Sequence, residues 1–286
     1  MSSLDQIELS TLAQTAGALA RMVGARIRSL REQGVAVADT KSSLTDVVTA
    51  ADREAERLVA EALREARPHD GLLGEEGAST AGTTGITWVV DPIDGTVNYL
   101  YGLPAYAVSI AATVEHDGRG STLPAGTMAD GRRAVAGAVY VPAFDELFDA
   151  HEGGGARVNG RPIRVSEREE LSLALVGTGF GYTVERRTEQ AEVARRLIPR
   201  VRDIRRDGAC SLDLCGLASG RLDAYFERGP QAWDLAAGGL VATEAGARLE
   251  GLHGRAAGED LIVAAGPALF GPLHDLLAEL RADTDD

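Results

Sequence analysis

Ile86-Thr87-Trp88-Val89-Val90-Asp91-Pro92-Ile93-Asp94-Gly95-Thr96-Val97-Asn98 is the stretch on which the fold of this 286-residue chain turns. Its first five residues form a short apolar, β-branched run, read as a strand that ends abruptly at Asp91-Pro92. A strand terminating in acids presents ligands at a sheet edge. Pro92 fixes the chain direction, so Asp91 and Asp94 are expected to turn toward one point, with the Ile93 carbonyl facing it. Gly95 has no Cβ, which lets backbone N–H groups approach an anion closely. If Gly95 and Thr96 start a helical turn, their amides aim at a phosphate. Taken alone, Asp-x-x-Asp-Gly is equally a solvated turn at a strand end.

Upstream, residues 4–32 read as an amphipathic helix with Leu4, Ile7, Ala13, Ala18, Met22, Ile27 and Leu30 as its stripe and Gly34 as its stop. A second helix is predicted over 49–67, where Thr49 and Asp52 resemble a capping box. Downstream, 105–114 and 135–141 are strand-like, and Asn159-Gly160 marks a hairpin. The second half alternates: a strand at 174–176, helices at 187–197 and 209–218, a strand at 223–226, a helix at 233–245, a strand at 261–264 and a helix at 267–280. That order implies an α/β layer with right-handed crossovers. Gly153-Gly154-Gly155 is the best boundary candidate, read as a turn inside one continuous body.

Hydrophobic residues make up 44% and charged residues 25%, a balance that excludes a wholly disordered or fibrous chain. The formal charge of −14 disfavours general binding to nucleic acid or anionic membrane. Cys210 and Cys215 can build neither a disulfide framework nor a zinc pattern, and read as packed thiols in a reducing cytoplasm. The first residues carry acids where a signal peptide needs a basic start. Residues 95–114 are uncharged, but Asn98, Gly102 and Pro104 argue for a buried loop and strand rather than a membrane span. Lys41 is the only lysine among 29 basic residues, weak support for a site that wants a compact ammonium.

Three acidic groups stand out: Glu75-Glu76 between the second helix and the strand, Asp91 and Asp94 after it, and Asp234 in Trp233-Asp234-Leu235-Ala236-Ala237-Gly238, where Trp233 reads as a packing residue that fixes Asp234. No histidine lies in any of them. An all-oxygen set suits hard cations such as Mg²⁺ and argues against zinc or iron.

With these motifs, together with Lys41-Ser42-Ser43, Asp46 to Asp52 and Glu244-Ala245-Gly246, the chain resembles the inositol monophosphatase family over nearly its whole length, and most of all its bacterial, actinobacterial SuhB-type members. The resemblance implies a layered α-β-α-β-α sandwich. Residues 1–155 would hold a helix pair and an antiparallel sheet with most metal ligands, and 156–286 an α/β subdomain with Asp234 and the specificity residues. It implies one metal on Glu75, Asp91 and the Ile93 carbonyl, a second on Asp91, Asp94 and Asp234, and a weaker third at Glu75, helped by Glu76 or Asp52. The substrate phosphate would sit on the metals and the amides of Gly95 and Thr96. Arg205, Gly208, Ala209, Cys210 and Glu227 would meet the sugar side.

Two or three Mg²⁺ are expected, with Mn²⁺ as an alternative and Li⁺ as inhibitor. The chemistry expected is direct attack by an activated water on a phosphate monoester, myo-inositol 1-phosphate first, with Thr96 and Asp52 orienting that water. Such hydrolysis needs up to roughly 10²¹-fold acceleration. One departure stands at Ala209 and Cys210, where many relatives have Ser or Thr followed by Ala, so a hydroxyl contact is missing. The family is usually dimeric, so a homodimer is expected. A haloacid-dehalogenase-type phosphatase needs Asp-x-Asp and a downstream lysine, whereas here the spacing is Asp-x-x-Asp and Lys41 precedes it. Histidinol phosphate, fructose 1,6-bisphosphate and 3′-phosphoadenosine 5′-phosphate remain alternative substrates. A role beside the transcription machinery is the alternative that Arg202, Arg205 and Arg206 invite.

Overall fold

The computed structural model describes residues 4–34, 37–40, 47–116 and 126–284. Lys41, Ser42, Ser43 and Asp46 lie outside the described residues.

The helices are α1 (Gln6–Glu32), α2 (Ala50–Ala66), α3 (Thr96–Leu100), α4 (Val184–Leu197), α5 (Cys210–Ala218), α6 (Ala232–Glu244) and α7 (Pro267–Glu279). An eight-stranded sheet runs Arg161–Pro162, Ala156–Val158, Glu146–His151, Arg132–Val141, Ala107–Glu115, Ile86–Asp94, Gly71–Gly74, Ser79–Thr80. All its neighbours are antiparallel except Gly71–Gly74, which lies parallel to Ile86–Asp94. A five-stranded mixed sheet runs Asp203–Arg205, Leu175–Thr178, Ala224–Glu227, Ile262–Ala265, Arg248–Glu250. A small two-stranded sheet pairs Val37–Thr40 with Val47–Thr49.

Alternation along the strands sets the layers, because successive side chains leave a strand on opposite faces. Trp88, Val90, Ile110, Ala136 and Ala138 point into a core with Leu12, Val23 and Ile27 of α1 and Val59 of α2. Val89, Ala111, Val139 and Phe148 point the other way, onto Leu214 and Leu217 of α5 and Leu240 and Val241 of α6. The far side of α5 and α6 meets Tyr225, Ile262 and Ala264 of the second sheet. That sheet's outer face is covered by Leu269, Phe270, Leu273 and Leu277 of α7. The result is a layered α-β-α-β-α sandwich, as the resemblance implied. Among the described residues no helix is long and apolar enough to cross a membrane.

Three expectations change. The stripe of α1 is right in part: Ala13 and Ile27 are buried and Leu4 and Leu30 pack at the core's edge, but Ile7 is 79% and Met22 44% exposed and Ala18 faces solvent, while Leu9, Leu12, Ala16, Leu19, Ala20 and Val23 are buried in addition. Apolar residues occur all around this helix, so packing against the sheet selects the face. The strand does not stop at Asp91 but continues to Asp94. Its pairing steps from Asp91 opposite Ser109 to Asp94 opposite Ala107, three residues against two. One extra residue makes a β-bulge, which tolerates Pro92 and brings Asp91 and Asp94 to one side, where a regular strand would put them on opposite faces. Finally, residues 156–162 beyond the triple glycine pair within the first sheet, and the Gly153 and Gly155 amides donate to Glu244 at the end of α6, 2.9 Å each.

Candidate active site

Each acid is placed by a different local device. Asp91 and Asp94 sit in the bulge, 1% and 6% exposed. Parallel pairing of Gly74 with Val90, extended by the Glu75 amide on the Val90 carbonyl at 3.1 Å, sets Glu75 beside Asp91. Asp234 is the third residue of α6, and its Oδ2 accepts from the Gln231 amide at 2.6 Å, a position the helix dipole favours for a carboxylate. Glu227 ends the strand Ala224–Glu227 and reaches the same cavity, of about 570 Å³.

Oxygens of Asp91, Asp94 and Asp234 lie within 4.8 Å of one another. Glu75 stands at the edge of this group, beside Asp91. Burial is the main reason that Asp91 is pushed well above the usual carboxylate range, and the charges of Glu75, Asp94 and Asp234 add to it. Asp234 is raised well above that range by burial, then by Asp94 and Glu75. Asp94 is raised by burial against the opposing pull of the Ser211 hydroxyl and amide. Crowding of buried carboxylates favours neutralising charge on each of them, and the donors are all oxygen; the residues present fit Mg²⁺.

Beside the acids, Gly95 caps α3 at φ +88°, a left-handed conformation, and a Cβ there would come within 2.8 Å of the Ala105 carbonyl. Glycine is needed on both counts. Asn98 Nδ2 donates to the carbonyls of Ala105 at 2.6 Å and Asp207 at 2.7 Å, tying this turn to the segment before α5. Thr96 Oγ1 lies 3.2 Å from Asp52 Oδ1 and 3.1 Å from the Ile93 carbonyl. Asp52, 1% exposed, is the third residue of α2, where its carboxylate accepts from the Thr49 amide at 2.8 Å and from the Thr49 hydroxyl in a short bond. Burial lifts Asp52 to about 6 although those bonds oppose it.

The cavity thus gathers Glu75, Asp91, Ile93, Asp94, Gly95, Thr96, Gly208, Cys210, Glu227 and Asp234. Asp52 stands behind Thr96, and Ala209 packs behind Gly95. Glu76 is half-buried, with its amide on Glu56 Oε2 at 2.8 Å. Arg205 departs from its expected place: it pairs with Asp203 at 2.6 Å, two residues back on the same strand face, and the arginine on the cavity wall is Arg206. Arg202 donates to the Leu173 carbonyl at 2.9 Å, so the three arginines have three separate surroundings rather than one basic patch. Trp233 both packs on the core and lines the cavity, and its carbonyl accepts from Ser109 Oγ at 3.0 Å.

The sequence reading missed three residues. The hydroxyl lacking at Ala209 is present at Ser211, whose Oγ and amide donate to Asp94 Oδ2 at 2.5 and 2.7 Å. Glu56, buried one helical turn after Asp52, accepts from the amides of Glu76 and Ala78 at 2.8 Å each and so holds the turn that carries Glu75. The i,i+4 spacing from Asp52 was a readable signal for it. Tyr225, two residues before Glu227, donates to that carboxylate.

The two acids of the bulged Asp-Pro-Ile-Asp strand, Glu75 after its parallel neighbour and Asp234 at a helix start make four acids on one cavity. Residues 8–122 and 127–284 match the inositol monophosphatase family. The chain belongs to that family. Membership makes it a phosphoric monoester hydrolase of the inositol-phosphate type. It is 48% identical over 250 residues to inositol-1-monophosphatase SuhB of Mycobacterium tuberculosis, covering 84% of this chain and 80% of that protein. It is 43% identical over 276 residues to the inositol-1-monophosphatase of Mycobacterium leprae, covering 92% and 89%. The solved structure of Mycobacterium tuberculosis SuhB superposes with a TM-score of 0.78 at 40% identity, covering 98% of this chain and all of that one. Among the described residues Asp91, Asp94 and Asp234 form an acidic group that could hold a metal.

Proposed function

We propose that this chain hydrolyses myo-inositol 1-phosphate to inositol and phosphate with Mg²⁺. The observation that carries the reading is three carboxylates within 4.8 Å on the floor of a cavity whose wall also holds Glu227. Glu75, Asp91, the Ile93 carbonyl, Asp94 and Asp234 would hold two cations, with Glu75 and Glu76 available to a third. Bound there, they supply positive charge to the phosphoryl group and to both oxygens of an in-line displacement.

The protein's own groups do the rest. Gly95 and Thr96 offer amides to the phosphate. Thr96 Oγ1 orients the attacking water and passes a proton to Asp52, whose position near 6 suits a base at neutral pH. The water oxygen bonds to phosphorus as the phosphorus–inositol oxygen bond breaks, and a second water protonates the released alkoxide. Ser211 fixes Asp94, and Glu227 accepts from inositol hydroxyls. No phospho-enzyme forms; retention of configuration at phosphorus, or a trapped phospho-aspartate, overturns this.

The deciding experiment compares kcat/KM for inositol 1-phosphate, histidinol phosphate, fructose 1,6-bisphosphate and 3′-phosphoadenosine 5′-phosphate, with Mg²⁺, with Mn²⁺ and with chelator. Inositol 1-phosphate is expected to lead, chelator to abolish turnover, and Li⁺ to inhibit in competition with Mg²⁺. Turnover that survives chelator, or a lead for another ester, overturns the corresponding part.

A further inference from the structure

Tyr225 and Glu227 are two residues apart on one strand and so share a face. Tyr225 is fully buried, and its hydroxyl donates to Glu227 Oε2 in a short hydrogen bond. The Cys210 thiol, on the first residue of α5, lies beside the same hydroxyl. A phenol has one proton and a carboxylate is a stronger acceptor than a thiol, so the O–H goes to Glu227. Cys210 thus stands behind the hydroxyl that holds Glu227 Oε2.

Glu227 Oε1 meets no protein donor among the described residues. It leans over Gly179, where a Cβ would come within 1.9 Å of it. One carboxylate oxygen is thus tied from behind while the residue itself stands on the cavity wall. The tie also matters for charge. Burial and the nearby Asp94 lift Glu227 to about 7, and the Tyr225 hydrogen bond is the leading opposing influence. An ionised carboxylate only accepts, whereas a protonated one also donates.

We infer that Tyr225, backed by Cys210, is a positioning residue that holds the Glu227 carboxylate as a fixed acceptor for a substrate hydroxyl, and thereby sets the preference for polyol phosphates over hydroxyl-free phosphate esters. This rests on the function proposed above and extends it from the acceptor to the groups that aim it.

The test measures kcat/KM with Mg²⁺ for inositol 1-phosphate, glycerol 2-phosphate and phenyl phosphate, which has no hydroxyl to offer. Tyr225→Phe keeps the ring and removes only the donor. It is expected to lower both polyol esters by about tenfold, the scale of a hydrogen bond to a charged group, and phenyl phosphate by less than about twofold. Cys210→Ala should shift the same ratio in the same direction by less. Glu227→Gln sets the ceiling, and Tyr225→Phe added to it should cost nothing further, since both act through one contact. Equal loss on all three esters, or a full additive loss in the double variant, marks a merely structural tyrosine and overturns the inference. A wild-type enzyme that turns over phenyl phosphate and neither polyol ester overturns both the functional reading and the inference. A wild-type polyol preference that Tyr225→Phe leaves unmoved overturns the inference alone.

Discussion

Carboxylates in two regions of this molecule are shifted in opposite directions. On the surface, Asp145 is held low by Tyr140 and Arg21, Glu192 by Arg195, Asp203 by Arg205 and Glu279 by Arg200. In the cavity, Asp91, Asp94, Glu227 and Asp234, and behind it Asp52, are all held high, burial being the largest cause each time. The surface acids have cationic or hydroxyl partners and water around them. The cavity acids have one another. Such a cluster weakens a fold unless a cation neutralises it, and that cost would favour binding of one.

The sharpest way to break the contrast is to remove one cavity charge. Asp94→Asn should lower kcat/KM by about 10³-fold or more, because the lost oxygen serves the transition state directly. Retention of a tenth of wild-type activity would show that Asp94 is peripheral. Removing a group that only orients an acid should cost less. Ser211→Ala is expected to weaken Mg²⁺ binding, read by calorimetry on the cation-free protein, by about tenfold; unchanged affinity would mean that the amide contact alone suffices.

The two regions also separate along the pH axis. A cavity acid whose folded pKa is raised binds a proton more tightly folded than unfolded. Its stabilising share is complete below the unfolded value and is lost as pH climbs through the folded one. For Asp52 that window runs from 3.8 to about 6, and for Glu227 from 4.5 to about 7. The surface acids, with lowered values, lose their share only as pH falls below about 4. The unfolding midpoint in chelator should therefore drop by several degrees between pH 5 and pH 7.5, and saturating Mg²⁺ should flatten that slope. A midpoint in chelator that is level or rising over the range would contradict the shifts. At the small end, Arg200→Ala, which removes the partner of Glu279, should leave the midpoint within about 2 °C, since exposed pairs contribute little and salt screens them.

Much of this was legible beforehand, and the misses share a cause. The capping box at Thr49 and Asp52 and the Asn159-Gly160 turn were read correctly because such signals involve neighbours in sequence. In the hairpin both turn residues take positive φ, 47° and 74°, as a two-residue turn of that kind requires. Three of the seven stripe residues of α1, Ile7, Ala18 and Met22, were misplaced because several faces of that helix are apolar and only the sheet chooses among them. Arg205 was preferred to its neighbour because a motif numbers residues but does not say toward which side a strand end points. Ser211 and Glu56 escaped notice because each works on a partner far away in the chain, 117 and 20 residues distant.

Chain order alone settled the donor chemistry: acids without histidine, an Asp-Pro-Ile-Asp strand and a Trp-Asp helix start admit a hard cation and little else. Apolar periodicity, a local property, gave the succession of helices and strands, and the resemblance to the family supplied the order of the layers. Packing decided the rest: the bulge that brings Asp91 and Asp94 to one side, the arginine that reaches the cavity, and the tyrosine that stands behind Glu227. These depend on burial and on contacts between distant segments, and a carboxylate's proton affinity is set by what surrounds it in space rather than by what adjoins it along the backbone.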